Sequence, residues 1–113
     1  MSLLKSAVLG VSLFSTAPAW AACATNACDD VALQRIYVNT NGRTYIKIDA
    51  DISPLNCTPA EGQFLSLLRS DTNSDNIYAM LLTLQTSRQR LSRIRIVEGT
   101  NGCNVAYVWQ DQQ

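Results

Sequence analysis

The sequence contains no histidine. That absence removes the side chain most often used for proton transfer near neutral pH, so histidine-based acid–base chemistry, serine triads and Cys–His nucleophiles are excluded. A cationic excess is missing too: nine basic residues face nine acidic ones. Such a balance gives no general affinity for nucleic acid or for an anionic membrane surface. No apolar run reaches the ~20 residues of a transmembrane helix. Cys-x-x-Cys pairs are also lacking, and with no histidine beside them the cysteines make a poor zinc set. No metal or cofactor is expected.

The first 21 residues read as a signal peptide. Lys5 supplies the positive region, Ala7 to Phe14 the apolar region, and Ala19-Trp20-Ala21 the small-x-small site of signal peptidase. Cleavage after Ala21 leaves residues 22–113 as a single domain with net charge −1, secreted or periplasmic. Cys23 behind Ala21-Ala22 also admits a lipoprotein reading, although Trp20 stands where such a site usually has leucine. A domain of this size buries only about 60–65% of its unfolded surface and gains from covalent help. Export permits disulfides, and Cys23, Cys28, Cys57 and Cys103 allow three pairings. Cys57–Cys103 with Cys23–Cys28 is favoured, because the second pair is close in sequence while the first spans most of the fold.

Along the chain, Val31 to Val38 is a strand whose apolar alternation changes phase. Val31 and Leu33 share one parity, Ile36 and Val38 the other, so a bulge near Gln34 or Arg35 must bend it. In the next strand Ile46, Ile48, Ala50 and Ile52 face one way, and Tyr45, Lys47, Asp49 and Asp51 the other. Parity then selects a three-residue loop, Thr40-Asn41-Gly42, that sets Ile36 opposite Ile46 and Tyr37 opposite Tyr45 on the outer face. Thr58-Pro59-Ala60-Glu61 has the form of a helix start that Gly62 interrupts, giving one helical turn before a buried strand, Gln63 to Arg69. A helix follows from about Asn76 to Ser87, apolar on more than one stripe. The last hairpin runs from Leu91–Glu98 through Gly99-Thr100-Asn101-Gly102. Its register sets Ile96 opposite Val105 and Ile94 opposite Tyr107, and turns Cys103 inward.

Two strands in a hairpin, a third strand, a helix and a second hairpin is the β-β-β-α-β-β order of the OB barrel. The expected fold is therefore mainly β, an OB-like five-stranded barrel with one helix. The alternative is an open α+β sheet with the helix packed on one face.

The segment Tyr78-Ala79-Met80-Leu81-Leu82, the Ile94/Ile96 strand and Cys103-Asn104-Val105-Ala106-Tyr107-Val108 together resemble the ending of small exported bacterial proteins. These are related to the OB-fold B subunits of AB5 toxins, the subtilase-cytotoxin type in particular. The resemblance implies an exported domain that binds glycans and assembles as a homo-oligomer, a pentamer. Leu84 stands where that pattern commonly has alanine, and Ser87-Arg88 replaces its glycine. The serine-based sugar pocket has no counterpart near Asp29-Asp30, so no glycan-binding residue carries over.

Several patterns have an ordinary reading beside a chemical one. Asp49 and Asp51 share a strand face that reads as solvated rather than as a catalytic pair, so no enzyme is expected. Asp71-x-Asn73-x-Asp75 opens like a calcium loop but lacks its sixth-position glycine and closing acid, and reads as a polar loop before the helix. Arg88, Arg90, Arg93 and Arg95 have no acid among them and form a solvated face or an anion contact. The expected recognition surface joins Tyr37 and Tyr45 to the turns at Thr40, Asn41 and Asn101, with Arg93 and Arg95 as the charged face. Two functions compete: a glycan-binding module of the toxin-B type, and a periplasmic structural or inhibitory protein that acts through a protein partner.

Overall fold

In the computed structural model, residues 22–112 are described, and the expected signal peptide lies outside them. The elements are β1 Ala22–Cys23, β2 Ala27–Val31, β3 Leu33–Val38, β4 Arg43–Ile48, β5 Thr58–Pro59, β6 Leu65–Leu68, α1 Ser74–Thr86, β7 Leu91–Ile96, β8 Asn101–Gly102 and β9 Val105–Trp109. They form a four-stranded sheet, β1-β2-β7-β9, a three-stranded sheet, β3-β4-β6, and a short parallel pair, β5-β8. Among the described residues no helix is long and apolar enough to cross a membrane.

β2 and β3 are the halves of one bent strand, and the bend has an identifiable cause. Asp30 takes a left-handed backbone (φ 55°), and Ala32, at the junction of the two strands, pairs in neither ladder. Its N–H donates instead to Asp49 Oδ1 at 2.9 Å, and its carbonyl accepts from Asp49 N at 3.2 Å. Arg90 Nη2 holds the second Asp49 oxygen at 3.1 Å while its Nε reaches Asp30 Oδ1 at 3.0 Å. A register shift between Leu33 and Arg35 adds the bulge at Gln34 that the change of phase requires. One strand thus serves both sheets. Asp49→Ala strips the Ala32 N–H of its acceptor and should cost about 1–2 kcal/mol. An unchanged urea midpoint would show that water replaces the carboxylate at no cost.

The first hairpin has the register that parity demands: Ile36 faces Ile46, Tyr37 faces Tyr45, Val38 faces Thr44. Gly42 takes the left-handed backbone (φ 86°) expected of it in the turn, but the last pair of the ladder is Val38–Thr44 and Arg43 N turns to the Asn41 side chain, so the connection is wider than the three residues expected. β4 ends at Ile48, short of the expected Ile52, because Asp49 is diverted to the bend. Beyond it Asp51 accepts from Ser53 N at 3.0 Å, and that hydrogen bond holds its carboxyl below the usual range. The helical turn expected at Pro59–Gly62 is a tight reversal instead. Glu61 and Gly62 both have positive φ (52° and 75°), and Ala60 pairs with Phe64 across the turn.

Both disulfides are present, Cys23–Cys28 and Cys57–Cys103. The second ties the irregular stretch after β4 to the start of the last strand, beside the parallel β5-β8 pair.

α1 packs one stripe rather than its whole circumference. Leu81 and Leu84 are buried, with Ile77, Tyr78 and Met80 packed against the same core, while Leu82 is 40% exposed. The helix ends in a Schellman motif, Arg88 N donating to Gln85 O and Gln89 N to Leu84 O. Arg88 sits in the left-handed position (φ 59°) where glycine is usual.

The fold is mainly β with one helix, and its sheets do not close into a barrel. Between β6 and β9 there is a single parallel bridge, Ser66 to Asn104, in which Ser66 N donates to Cys103 O at 3.2 Å. Closure stops there for two reasons: β6 is only four residues long, and Cys103 turns through a positive φ of 47°. The space between the sheets is filled by Val31, Ile46, Leu65, Leu81, Leu91, Ile94 and Ile96.

Candidate functional site

The expected tyrosine surface forms in register but is not open. Phe64, delivered by the reversal at residues 60–64, packs its ring 5.4 Å from Tyr37 and 5.8 Å from Tyr45, while the two tyrosines lie 4.8 Å apart. Tyr45 is only 6% exposed as a result. Its hydroxyl accepts from Asn41 Nδ2 at 2.7 Å. Asn41 is further engaged by Arg43 N at 3.0 Å, so this side chain shapes the turn. Tyr37 is half-buried and donates to Glu61 Oε2 at 3.3 Å. Burial first, then the Glu61 carboxylate, push its phenol above the ordinary tyrosine value.

Thr40 is exposed at the turn, and Asn101 lies in β8 opposite Thr58. The two turns are drawn together through Arg43, whose Nη1 donates to Asn104 Oδ1 at 3.1 Å. Gly102 backs onto the Arg43 guanidinium and the Ser66 hydroxyl. Ser66 is fully buried, and its Oγ has no hydrogen-bond partner among the described residues.

The arginines separate into different environments. Arg90 is consumed by the bend. Burial works against its charge, but the hydrogen bonds to Asp30 and Asp49 outweigh this and raise its pKa. Arg93 forms a two-point pair with Asp29 across β2 and β7, at 2.6 and 2.9 Å, and that bonding raises its pKa. Acids absent from the arginine segment are therefore supplied by β2. Arg95 makes no ion pair among the described residues, and its guanidinium lies 5.8 Å from the Tyr107 ring centroid.

Arg93 and Arg95 belong to a larger array on the outer face of the four-stranded sheet. Arg93 lies opposite Trp109, and Arg95 opposite Tyr107. The Tyr107 and Trp109 rings are nearly parallel, 12° apart in plane and 5.8 Å between centroids, and the Arg93 guanidinium stands 5.0 Å from the Trp109 centroid. Tyr107 is 37% and Trp109 43% exposed.

The expected register put Tyr107 opposite Ile94, facing in. Ile96 does pair with Val105, but a register shift then leaves Ala106 as an extra residue and sets Val108 opposite Ile94. That bulge turns both rings outward. A signal was present: Val105 and Val108 are three apart, and both can face the core only if the strand changes phase, as in the first strand.

Among the described residues no group of three or more His, Cys, Asp or Glu side chains could hold a metal ion. No protein family, curated protein or solved structure matches this sequence.

Proposed function

We propose that the protein is an exported, non-catalytic binding module on an OB-like but incompletely closed arrangement of strands, and that it recognises an acidic glycan through the outer face of β7 and β9. The barrel reading is supported by the strand that bends to serve both sheets and by the Ser66–Asn104 bridge, which lies where a five-stranded OB barrel would close. Export is supported by the signal-like N-terminus and the two disulfides.

The observation that carries the binding reading is the array of Arg93, Arg95, Tyr107 and Trp109. Sugar rings offer C–H groups that pack against aromatic faces, and a sugar carboxylate complements a guanidinium that has no acid of its own. Arg95 is that guanidinium. On a glycan array, the mature protein should bind sialylated or uronate-containing glycans, and Arg95→Ala or Trp109→Ala should weaken binding at least about tenfold without lowering the melting temperature. Equal binding by both variants would remove this face from the reading. The toxin-B resemblance adds an assembly of five copies, which light scattering on the mature chain checks directly.

A protein partner is the second reading, favoured by the composition of the same face. Tryptophan, tyrosine and arginine are the residues that dominate protein contact energies, and β9 lies at the edge of its sheet with no charged residue or proline to guard it.

A further inference from the structure

A second concavity lies away from the Arg–aromatic face, where the ends of β3, β4 and β6 meet the first turn of α1. Its volume is about 220 Å³, below the ~300–1,000 Å³ of pockets for drug-sized ligands. Val38 and Leu67 supply apolar wall, and Thr44, Arg69, Asp75 and Tyr78 supply polar groups. Thr44 arrives there by parity. It shares the inward face of β4 with Ile46 and Ile48, so a hydroxyl is carried to the end of an otherwise apolar row.

Thr44 is 5% exposed, yet its hydroxyl makes no hydrogen bond among the described residues. Among the described residues Ser66 Oγ is the one buried side-chain polar atom without a partner, so the Thr44 hydroxyl is open to solvent in the pocket, where a ligand can donate to it or accept from it. The Tyr78 hydroxyl, the Arg69 guanidinium and the Asp75 carboxylate are likewise without a hydrogen-bond or ion-pair partner among the described residues. Ser74 is already satisfied, its Oγ donating to Arg69 O at 2.9 Å. The pocket therefore offers a cationic donor, an anionic acceptor and two hydroxyls of either sense around an apolar floor.

We infer that this pocket binds a single neutral pyranose. A simple anion meets the Asp75 carboxylate, a simple cation meets Arg69, and a hydrocarbon engages none of the four polar groups. A sugar ring presents hydroxyls that both donate and accept, together with C–H faces for Val38, Leu67 and the Tyr78 ring. The site is distinct from the sheet face and does not depend on it.

Residue-resolved NMR titration of the oxidised mature protein with D-galactose, D-glucose, glycine and sodium sulfate tests the assignment. Saturable shifts centred on Thr44, Arg69 and Tyr78 are expected for at least one hexose, with millimolar affinity. Thr44→Val, which keeps the side-chain shape, should weaken it about tenfold by removing one hydrogen bond, and Asp75→Asn should weaken it as well. Absence of shifts with either hexose overturns the inference, as does saturation of the same residues by glycine or sulfate alone. Shifts confined to Arg93, Arg95, Tyr107 and Trp109 would also overturn it while leaving the sheet-face reading intact.

Discussion

Replacing both Cys57 and Cys103 by alanine is expected to remove about 4 kcal/mol of unfolding free energy, the value for a bridge closing a loop of ~47 residues. Total stabilities of small domains are about 5–15 kcal/mol, so roughly a quarter to four-fifths of the margin goes with it. The structure explains why little else substitutes. From Asp49 to Cys57 the chain has no regular element and is held by Leu55 in the core, by Asn56 N on Thr25 O at 2.7 Å, and by Gly99 N on Asn56 O at 2.7 Å. Cys103 itself is fully buried. The alanine pair at Cys23 and Cys28 closes a much shorter loop and should cost about 2 kcal/mol. Urea unfolding of the two double variants checks the order. A larger loss at the short bridge would mean that pinning β1 to β2 outweighs loop closure.

Leu81→Ala should cost about 3 kcal/mol, and Leu82→Ala less than about 0.5 kcal/mol. The two positions are adjacent, and their contrast tests how α1 is seated. Leu81 is fully buried between the sheets, whereas Leu82 is 40% exposed. A leucine cut back to alanine in a sealed core loses its transfer free energy and leaves a cavity; at the surface the first term is small and the second is absent. Comparable losses at both sites, read from denaturant midpoints, would show that the helix is buried all round, as its composition alone suggests.

Where the sequence was legible, the reason was parity. Two-residue periodicity with a buried face leaves one register for Ile36/Ile46 and Tyr37/Tyr45, and the broken alternation at Leu33 and Ile36 demands a bulge. The inward position of Cys103 follows from the same rule. What escaped was of a different kind. Asp29 and Asp30 disguise β2 as a polar loop, yet they are the acids that pair with Arg93 and Arg90, which lie 64 and 60 residues further along the chain. Phe64 reads as core in any window, and only tertiary structure shows it covering Tyr45. The outward turn of Tyr107 and Trp109 rests on Ala106, a small residue whose role as the bulge is visible only in the spacing of Val105 and Val108.

Those differences move the candidate site. Tyr45 and Asn41 are spent on the fold, Thr40 and Asn101 remain as turn residues near Arg43, and Arg93 and Arg95 gain two aromatic neighbours. The proposed recognition surface passes from the three-stranded sheet to the four-stranded one.

The most direct measurement is the glycan binding of the oxidised mature protein beside its Trp109→Ala variant, both first shown to melt at the same temperature. Binding of acidic glycans by the first and its loss in the second is the expected result. Indistinguishable binding by the two, or none by the parent at any concentration, would contradict the assignment of this face as a glycan site.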